Sequence, residues 1–282
     1  MSATGIESGF ERLVVEREAG GVVRVWLARP EKLNALDTRT LEELIALYRS
    51  FERDFAVRVV VLGGHGRAFC AGADRGAPPG TDYLLTGQGA TPRERRWWSQ
   101  LGRRAVEAVA TAEVVTIARL HGYVLGGGLC LAVACDFRIA TADTQLGLPE
   151  VDLGIPLTWG GTARLVHEVG AARARELIML TDNVDGHRAE AMGLVHRVVA
   201  TAELDATVTD WATRLAAKPE IAIHMAKTQF RALARQAGLG DTTETDGDLL
   251  LAASASGAAV AAFGSPPSRS SSAAASPPSS PE

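Results

Sequence analysis

The chain reads as α/β, a succession of ββα units followed by a helical C-terminal region, and three observations predict this. Runs of β-branched and aliphatic residues at 13–17, 22–27, 57–62 and 114–120 read as strands and are interleaved with helical stretches. Two strands precede the first helix, so the repeat is ββα rather than a simple βαβ alternation. The 282 residues, 46% hydrophobic and 22% charged, are enough for one large globular core.

Taken in order, 13–17 and 22–27 are joined across Ala19-Gly20-Gly21, a good hairpin turn. Asp37 is placed to cap a helix in which Leu41, Leu44, Ile45, Tyr48 and Phe51 share one face. After strand 57–62, residues 74–99 show no clear periodicity and carry Gly76, Pro78, Pro79, Gly80, Gly87 and Gly89. An irregular stretch of that length beside a functional turn is read as a lid, with Trp97 and Trp98 in it. Within the lid, Arg93-Glu94-Arg95-Arg96 is a solvated helix face. A helix at 101–110, strand 114–120 and a small-residue helix at 127–134 follow. Short strands are expected at 137–140 and 144–146, and helices at 161–168 and 171–180. Asp185 caps a short helix that Gly193 ends, and 194–199 is a strand. Helices at 204–217 and 221–234 are separated by Pro219 at a helix start. The organisation is therefore a core over 1–200 carrying the site and a helical region over 201–263. Residues 264–282, nearly all Ser, Pro and Ala, bury too little apolar surface to order and form a disordered tail.

The net charge of −4 gives no general pull toward nucleic acid or acidic membranes. Cys70, Cys130 and Cys135 are odd in number and lack a CxxC spacing, which argues against a disulfide scaffold or a metal site and fits a reducing compartment. Residues 1–10 show neither a basic segment nor an apolar run of the secretory type, and the longest apolar stretches are short and glycine-broken. A soluble cytoplasmic protein with no nucleic-acid or membrane partner is expected.

Two segments concentrate the chemistry: Ala68-Phe69-Cys70-Ala71-Gly72-Ala73-Asp74 and His121-Gly122-Tyr123-Val124-Leu125-Gly126-Gly127-Gly128. Each follows a buried strand and breaks into small residues whose backbone N–H groups a ligand can approach. Two such turns on neighbouring strands can aim two donors at one oxygen, the geometry of an oxyanion hole. A dinucleotide reading fails, because the third glycine position of GxGxxG is Leu131, and no GxxxxGK[ST] loop exists.

Together with Arg29-Pro30-Glu31-Lys32-Leu33-Asn34-Ala35-Leu36 and Gly147-Leu148-Pro149-Glu150, these segments resemble the enoyl-CoA hydratase/isomerase (crotonase) superfamily from about residue 13 to residue 230. The resemblance implies a crotonase-like spiral of ββα units, an acyl-CoA thioester substrate, no separate cofactor and a homotrimer or hexamer. It also implies a C-terminal helical end that helps to cover the CoA site of a neighbouring subunit.

By position in the family motifs, the oxyanion donors are the N–H groups of Ala71 and Gly127, and Glu150 carries the proton at C2 or C3 of the acyl chain. Lys32, Leu33 and Ala35 correspond to the edge that binds CoA, and Ala73 and Asp74 follow the hole. Hydratases of this family place a second glutamate where this chain has Cys130, and a thiol is a poor substitute for holding water. Cys130 is therefore a small pocket-lining residue, and Trp159, where the family usually has a small residue, narrows the acyl pocket. One carboxylate suffices for shifting a double bond, so enoyl-CoA isomerisation is the expected reaction. The alternatives are hydration of a 2-enoyl-CoA with a single glutamate and a catalytically silent CoA-binding paralogue.

Overall fold

The computed structural model describes residues 5–7, 9–79, 90–236, 243–254 and 259. Nine strands are found among them: β1 (Gly5–Glu7), β2 (Leu13–Arg17), β3 (Val22–Leu27), β4 (Val59–Gly64), β5 (Val115–Leu120), β6 (Tyr123–Leu125), β7 (Phe137–Thr141), β8 (Gln145–Gly147) and β9 (Arg197–Val199). Seven form one sheet in the order β1-β2-β3-β4-β5-β7-β9. The pairings β1–β2 and β2–β3 are antiparallel and the remaining four are parallel. The predicted hairpin closes with Gly20 and Gly21 at φ 76° and 79°, and a Cβ on Gly21 would fall 2.6 Å from the Ala56 carbonyl oxygen. Only glycine fits there.

The ββα repeat appears as a second, shorter ladder beside the large sheet. After β3, Leu36 pairs with Ala73; after β4, Cys70 pairs with Val124 of β6; β6 pairs with β8, and Leu146 of β8 pairs with Val184. Each long strand is thus followed by a return segment that hydrogen-bonds to the corresponding segment of the next unit. The stretch 123–125, which the sequence offers only as a turn, is one rung of this ladder.

Side-chain alternation along the parallel strands fills both sheet faces, as buried parallel sheets require. Val60 and Leu62 enter the main core with α1 (Thr38–Ser50), while Val59 and Val61 enter a second cluster with Val115, Ile117 and Ile139. Asp37 caps α1 by accepting the Thr40 N–H at 2.8 Å. Within the stretch to residue 99 that shows no clear periodicity, the helix face read at 93–96 belongs to α2 (Pro92–Ser99), a helix opened by a capping box between Thr91 and Glu94. Residues 80–89, the rest of the expected lid, lie outside the described residues. Next come α3 (Leu101–Thr111) and α4 (Gly127–Ala134), all eight residues of which are buried. A helix apolar on every side has to be enclosed, and α4 is packed between α3 and α5 (Gly161–Arg175). Gly170, at φ 77°, breaks α5 where the sequence predicts two helices, and a π-helical stretch, Glu176–Leu180, continues it.

The C-terminal helices are α6 (Gly186–Ala191), α7 (Leu204–Ala216), α8 (Glu220–Gln236) and α9 (Asp246–Ser254). Helix α7 buries Leu204, Val208 and Ala212 against the second sheet face. Lys227 of α8 donates to Asp136 Oδ2 and to the Val114 carbonyl, each at 2.7 Å, and so ties that helix to the strand ends. The expected tail at 264–282 lies outside the described residues.

Arg138 at the end of this sheet is 1% exposed and donates to the Leu194 and Cys135 carbonyls and to Glu168. Replacing it leaves the Leu194 and Cys135 carbonyls without this donor, while Glu168, 30% exposed, can turn to water. Arg138→Leu should cost about 2–4 kcal/mol, mostly from the two buried acceptors, read as a lowered urea midpoint with an unchanged slope.

Candidate functional site

The site grows from the two turns that follow β4 and β5. Cys70 donates its N–H to the Tyr123 carbonyl at 3.0 Å and accepts the Leu125 N–H at 2.9 Å. On the opposite edge of the same segment, Ala71 N–H donates to the Leu33 carbonyl at 2.9 Å. The Ala71 donor is therefore occupied by the chain itself, and the sequence-based assignment of Ala71 to the oxyanion hole is corrected. Two residues on, the Leu36 N–H reaches the Gly72 carbonyl at 2.8 Å and the Asp74 N–H reaches the Leu36 carbonyl at 2.9 Å. A parallel bridge of this form turns the N–H of the intervening Ala73 to the other side. Ala73 N–H has no acceptor among the described residues. Gly72, at φ 92°, lies so near the second turn that a Cβ on it would sit 2.9 Å from the Leu125 carbonyl oxygen and 3.5 Å from Gly127 N.

The second donor stands as predicted. Gly127 is the first residue of α4, so its N–H has no intrahelical partner, and none is found elsewhere among the described residues. Gly126 precedes it at φ 51°, and the helix N-terminus adds positive potential. Ala73 and Gly127 both line one apolar cleft of about 780 Å³, open mouth included, together with Cys130, Glu150 and Trp159.

Glu150 is the carboxylate of that cleft. It follows Pro149 in the loop after β8, and its Oε1 packs so close to Gly126 that a Cβ there would fall 2.6 Å away. Its Oε2 is buried with no hydrogen-bond partner. Burial away from water pushes its pKa up to about 7, partly offset by its own backbone N–H. A carboxyl group poised at that value can both take and return a proton near neutral pH.

Cys130 is 2% exposed, donates weakly from Sγ to the Thr158 carbonyl at 3.8 Å, and meets the cleft wall. Burial first, and then the Glu150 charge, raise its thiol well above the ordinary value, so it stays protonated. Trp159 adopts φ 59° and is 8% exposed, with its ring against Gly102 and Gly127. Trp98 of α2 also lines the cleft and stacks edge-on to Trp97 at 4.7 Å.

The remaining candidates lie outside the cleft. Lys32 is exposed at the end of a short turn, and Leu33 and Ala35 form the segment that brackets the hole from behind. Ala35 offers its carbonyl to Arg29 at 2.5 Å. Asp74 is 5% exposed, accepts from Arg29 at 2.8 Å and receives the N–H groups of Gly76 and Ala77. Burial alone would raise its pKa, but Arg29 and those N–H groups outweigh it and hold the carboxyl below its usual range. It thereby fixes the chain that leaves the hole. His121 likewise serves structure, bonding the Gly66 carbonyl at 2.9 Å.

Three contributors from α9 escape sequence reading altogether. Leu250 and Ser254 of α9 line the cleft, and Asp246 at the start of α9 accepts the Gly160 N–H at 2.6 Å. Nothing in the local sequence around 246 marks these residues for the site. Whereas the resemblance implies that the C-terminal end covers a neighbour's site, the described part of it sits on the cleft of its own chain.

No group of three His, Cys, Asp or Glu side chains that could hold a metal occurs among the described residues, and no helix there is long and apolar enough to cross a membrane. The family model of enoyl-CoA hydratase/isomerase matches residues 17–256. A crotonyl-CoA hydratase of Syntrophomonas wolfei is 34% identical over 219 residues, 77% of this chain and 80% of that protein. A probable enoyl-CoA hydratase of Rhizobium meliloti is 40% identical over 191 residues, 68% of this chain and 70% of that protein. Among solved structures, an enoyl-CoA hydratase/isomerase from Xanthobacter autotrophicus Py2 superposes with a TM-score of 0.79 at 31% identity, covering 90% of this chain and 92% of its own. With the two-ladder spiral, the paired glycine turns and these likenesses over most of its length, the chain belongs to the enoyl-CoA hydratase/isomerase family, the crotonase superfamily.

Proposed function

We propose that this acyl-CoA enzyme shifts a carbon–carbon double bond in an enoyl-CoA, with Glu150 as the single proton carrier. The observation that carries this reading is the carboxylate of the cleft: Glu150, with a pKa of about 7, is the only carboxylate that lines it among the described residues, and a neutral thiol stands at 130. In the forward direction the Glu150 carboxylate takes a proton from C2 of a 3-enoyl thioester. The C2–H electron pair forms the C1–C2 double bond of a dienolate, conjugated with C3=C4, and the carbonyl pair moves onto the thioester oxygen, which Ala73 and Gly127 N–H groups would bind. The protonated Glu150 then returns the proton at C4, leaving the 2-enoyl thioester. No atom is gained or lost, and no cofactor beyond the CoA of the substrate is called for. Lys32 is available to meet a CoA phosphate as a point charge, with Leu33 and Ala35 beside it. The family's assembly as a homotrimer or hexamer and a cytoplasmic location belong to the same proposal.

Hydration of a 2-enoyl-CoA is the second reading, favoured by the printed names of the relatives, among them a crotonyl-CoA hydratase and a short-chain-enoyl-CoA hydratase at 34% identity. It requires Glu150 to activate water for C3 and to deliver the proton to C2 without the help of a carboxylate at 130.

Proton NMR in D₂O with a 2-enoyl-CoA and a 3-enoyl-CoA separates the two. Interconversion with deuterium entering at C2 and C4, and no 3-hydroxyacyl-CoA, is expected; rapid formation of the hydroxy compound would replace the isomerase reading with the hydratase one. Glu150→Gln should lower the rate by about 10²–10⁴-fold, the usual worth of a positioned general base. Because the base acts ionised and its pKa is raised to about 7, kcat/KM should fall as pH drops through 7 and level off above it. Cys130→Glu should raise hydration by about a hundredfold, measured as loss of enoyl absorbance.

A further inference from the structure

The turn that carries Trp159 is held from the far end of the chain. Trp159 and Gly160 are consecutive left-handed residues, at φ 59° and 73°. A bulky side chain disfavours that region, so the turn needs fixing by its surroundings. Its central N–H, that of Gly160, donates to Asp246 Oδ2 at 2.6 Å, a bond to a charged acceptor spanning 86 residues of sequence. Asp246 opens α9, which is anchored by the Arg96–Asp248 ion pair at 2.9 Å and lends Leu250 to the cleft.

The indole so placed forms the cleft wall beside the Gly127 donor. A Cβ on Gly127 would lie 2.3 Å from the ring and one on Gly102 only 1.9 Å, so the ring is wedged between Gly102 of α3 and Gly127 of α4. An acyl chain whose thioester oxygen sits on Gly127 N–H would lie beside this ring.

We propose that Asp246 is a positioning residue which, through the Gly160 N–H, locks Trp159 as the wall that closes the acyl end of the cleft and confines the site to short acyl chains. This rests on the acyl-CoA reading above. It makes substrate length depend on a carboxylate that touches no substrate.

Saturated thioesters bind without reacting, so the test is calorimetric titration of the full chain with butyryl-, octanoyl- and decanoyl-CoA. The wild type should bind butyryl-CoA at least about tenfold tighter than decanoyl-CoA. Trp159→Ala and Asp246→Ala should each erode that ratio by about tenfold, and the double variant should go no further than Trp159→Ala, because both act on one wall. Asp246→Asn keeps an acceptor oxygen and should preserve the wild-type ratio. An equal loss for every chain length in Asp246→Ala, an unchanged ratio in Trp159→Ala, or Asp246→Asn behaving like Asp246→Ala overturns the proposal. A wild type that binds every length equally also overturns it while leaving the acyl-CoA reading intact. A wild type that binds no acyl-CoA overturns that reading as well.

Discussion

The structure depends on how backbone N–H groups are shared out along the short second ladder. Between Cys70 and Asp74 nearly every donor is taken: Cys70 by Tyr123, Ala71 by Leu33 and Asp74 by Leu36, while Gly72 N–H faces Cys70 Sγ at 3.4 Å. Buried backbone donors are rarely left without a partner. Two donors that face the cleft without an acceptor among the described residues, Ala73 and Gly127, are therefore informative: one is turned outward by the register of a parallel bridge, the other is the first residue of a helix. Neither depends on a side chain. Both depend on glycines, Gly72 at φ 92° and Gly126 at φ 51°, where a Cβ would collide with the Leu125 carbonyl or with Glu150.

Around this pair the walls are almost wholly apolar, and that decides the electrostatics. Glu150 loses hydration and gains no cationic partner, so its pKa climbs to about 7. Asp74, next to Ala73 in the chain, is 5% exposed but faces Arg29 and two N–H groups, and its pKa moves the other way. Two carboxylates from distant parts of the chain are thus set apart: Glu150 is poised to exchange protons near neutral pH, and Asp74 is held ionised and fixes the loop. The buried thiol at 130 remains neutral beside Glu150, so among the described residues of that wall Glu150 is the group that titrates near neutral pH.

The C-terminal helix links the rim of the cleft to the core. Helix α9 reaches α2 through Arg96–Asp248 and the turn at Gly160 through Asp246, while Gln100 donates to the Glu244 carbonyl at 2.9 Å. A segment more than eighty residues downstream of the oxyanion turns is thereby part of the same enclosure. Its contribution is positional: it orders the groups that bound the cleft without entering the chemistry.

The sequence alone determined the class of fold and most of its elements, because hydrophobic periodicity and capping residues act locally. Asp37, Asp185 and the apolar run 127–134 produced helices where they were expected, and the paired glycine turns and Glu150 pointed to the cleft. The capping box at Thr91 and Glu94 was legible too, though the surrounding glycines and prolines masked it. What the tertiary structure decided was direction and distant neighbourhood. Which of two alanines, Ala71 or Ala73, offers a free N–H follows from the register with residues 33–36, and motif position does not encode that register. That Asp246 reaches Gly160, and that Trp159 lies on Gly102 and Gly127, follows from packing between segments far apart in the chain. Local pattern specifies what a residue prefers; only the folded chain specifies what it faces.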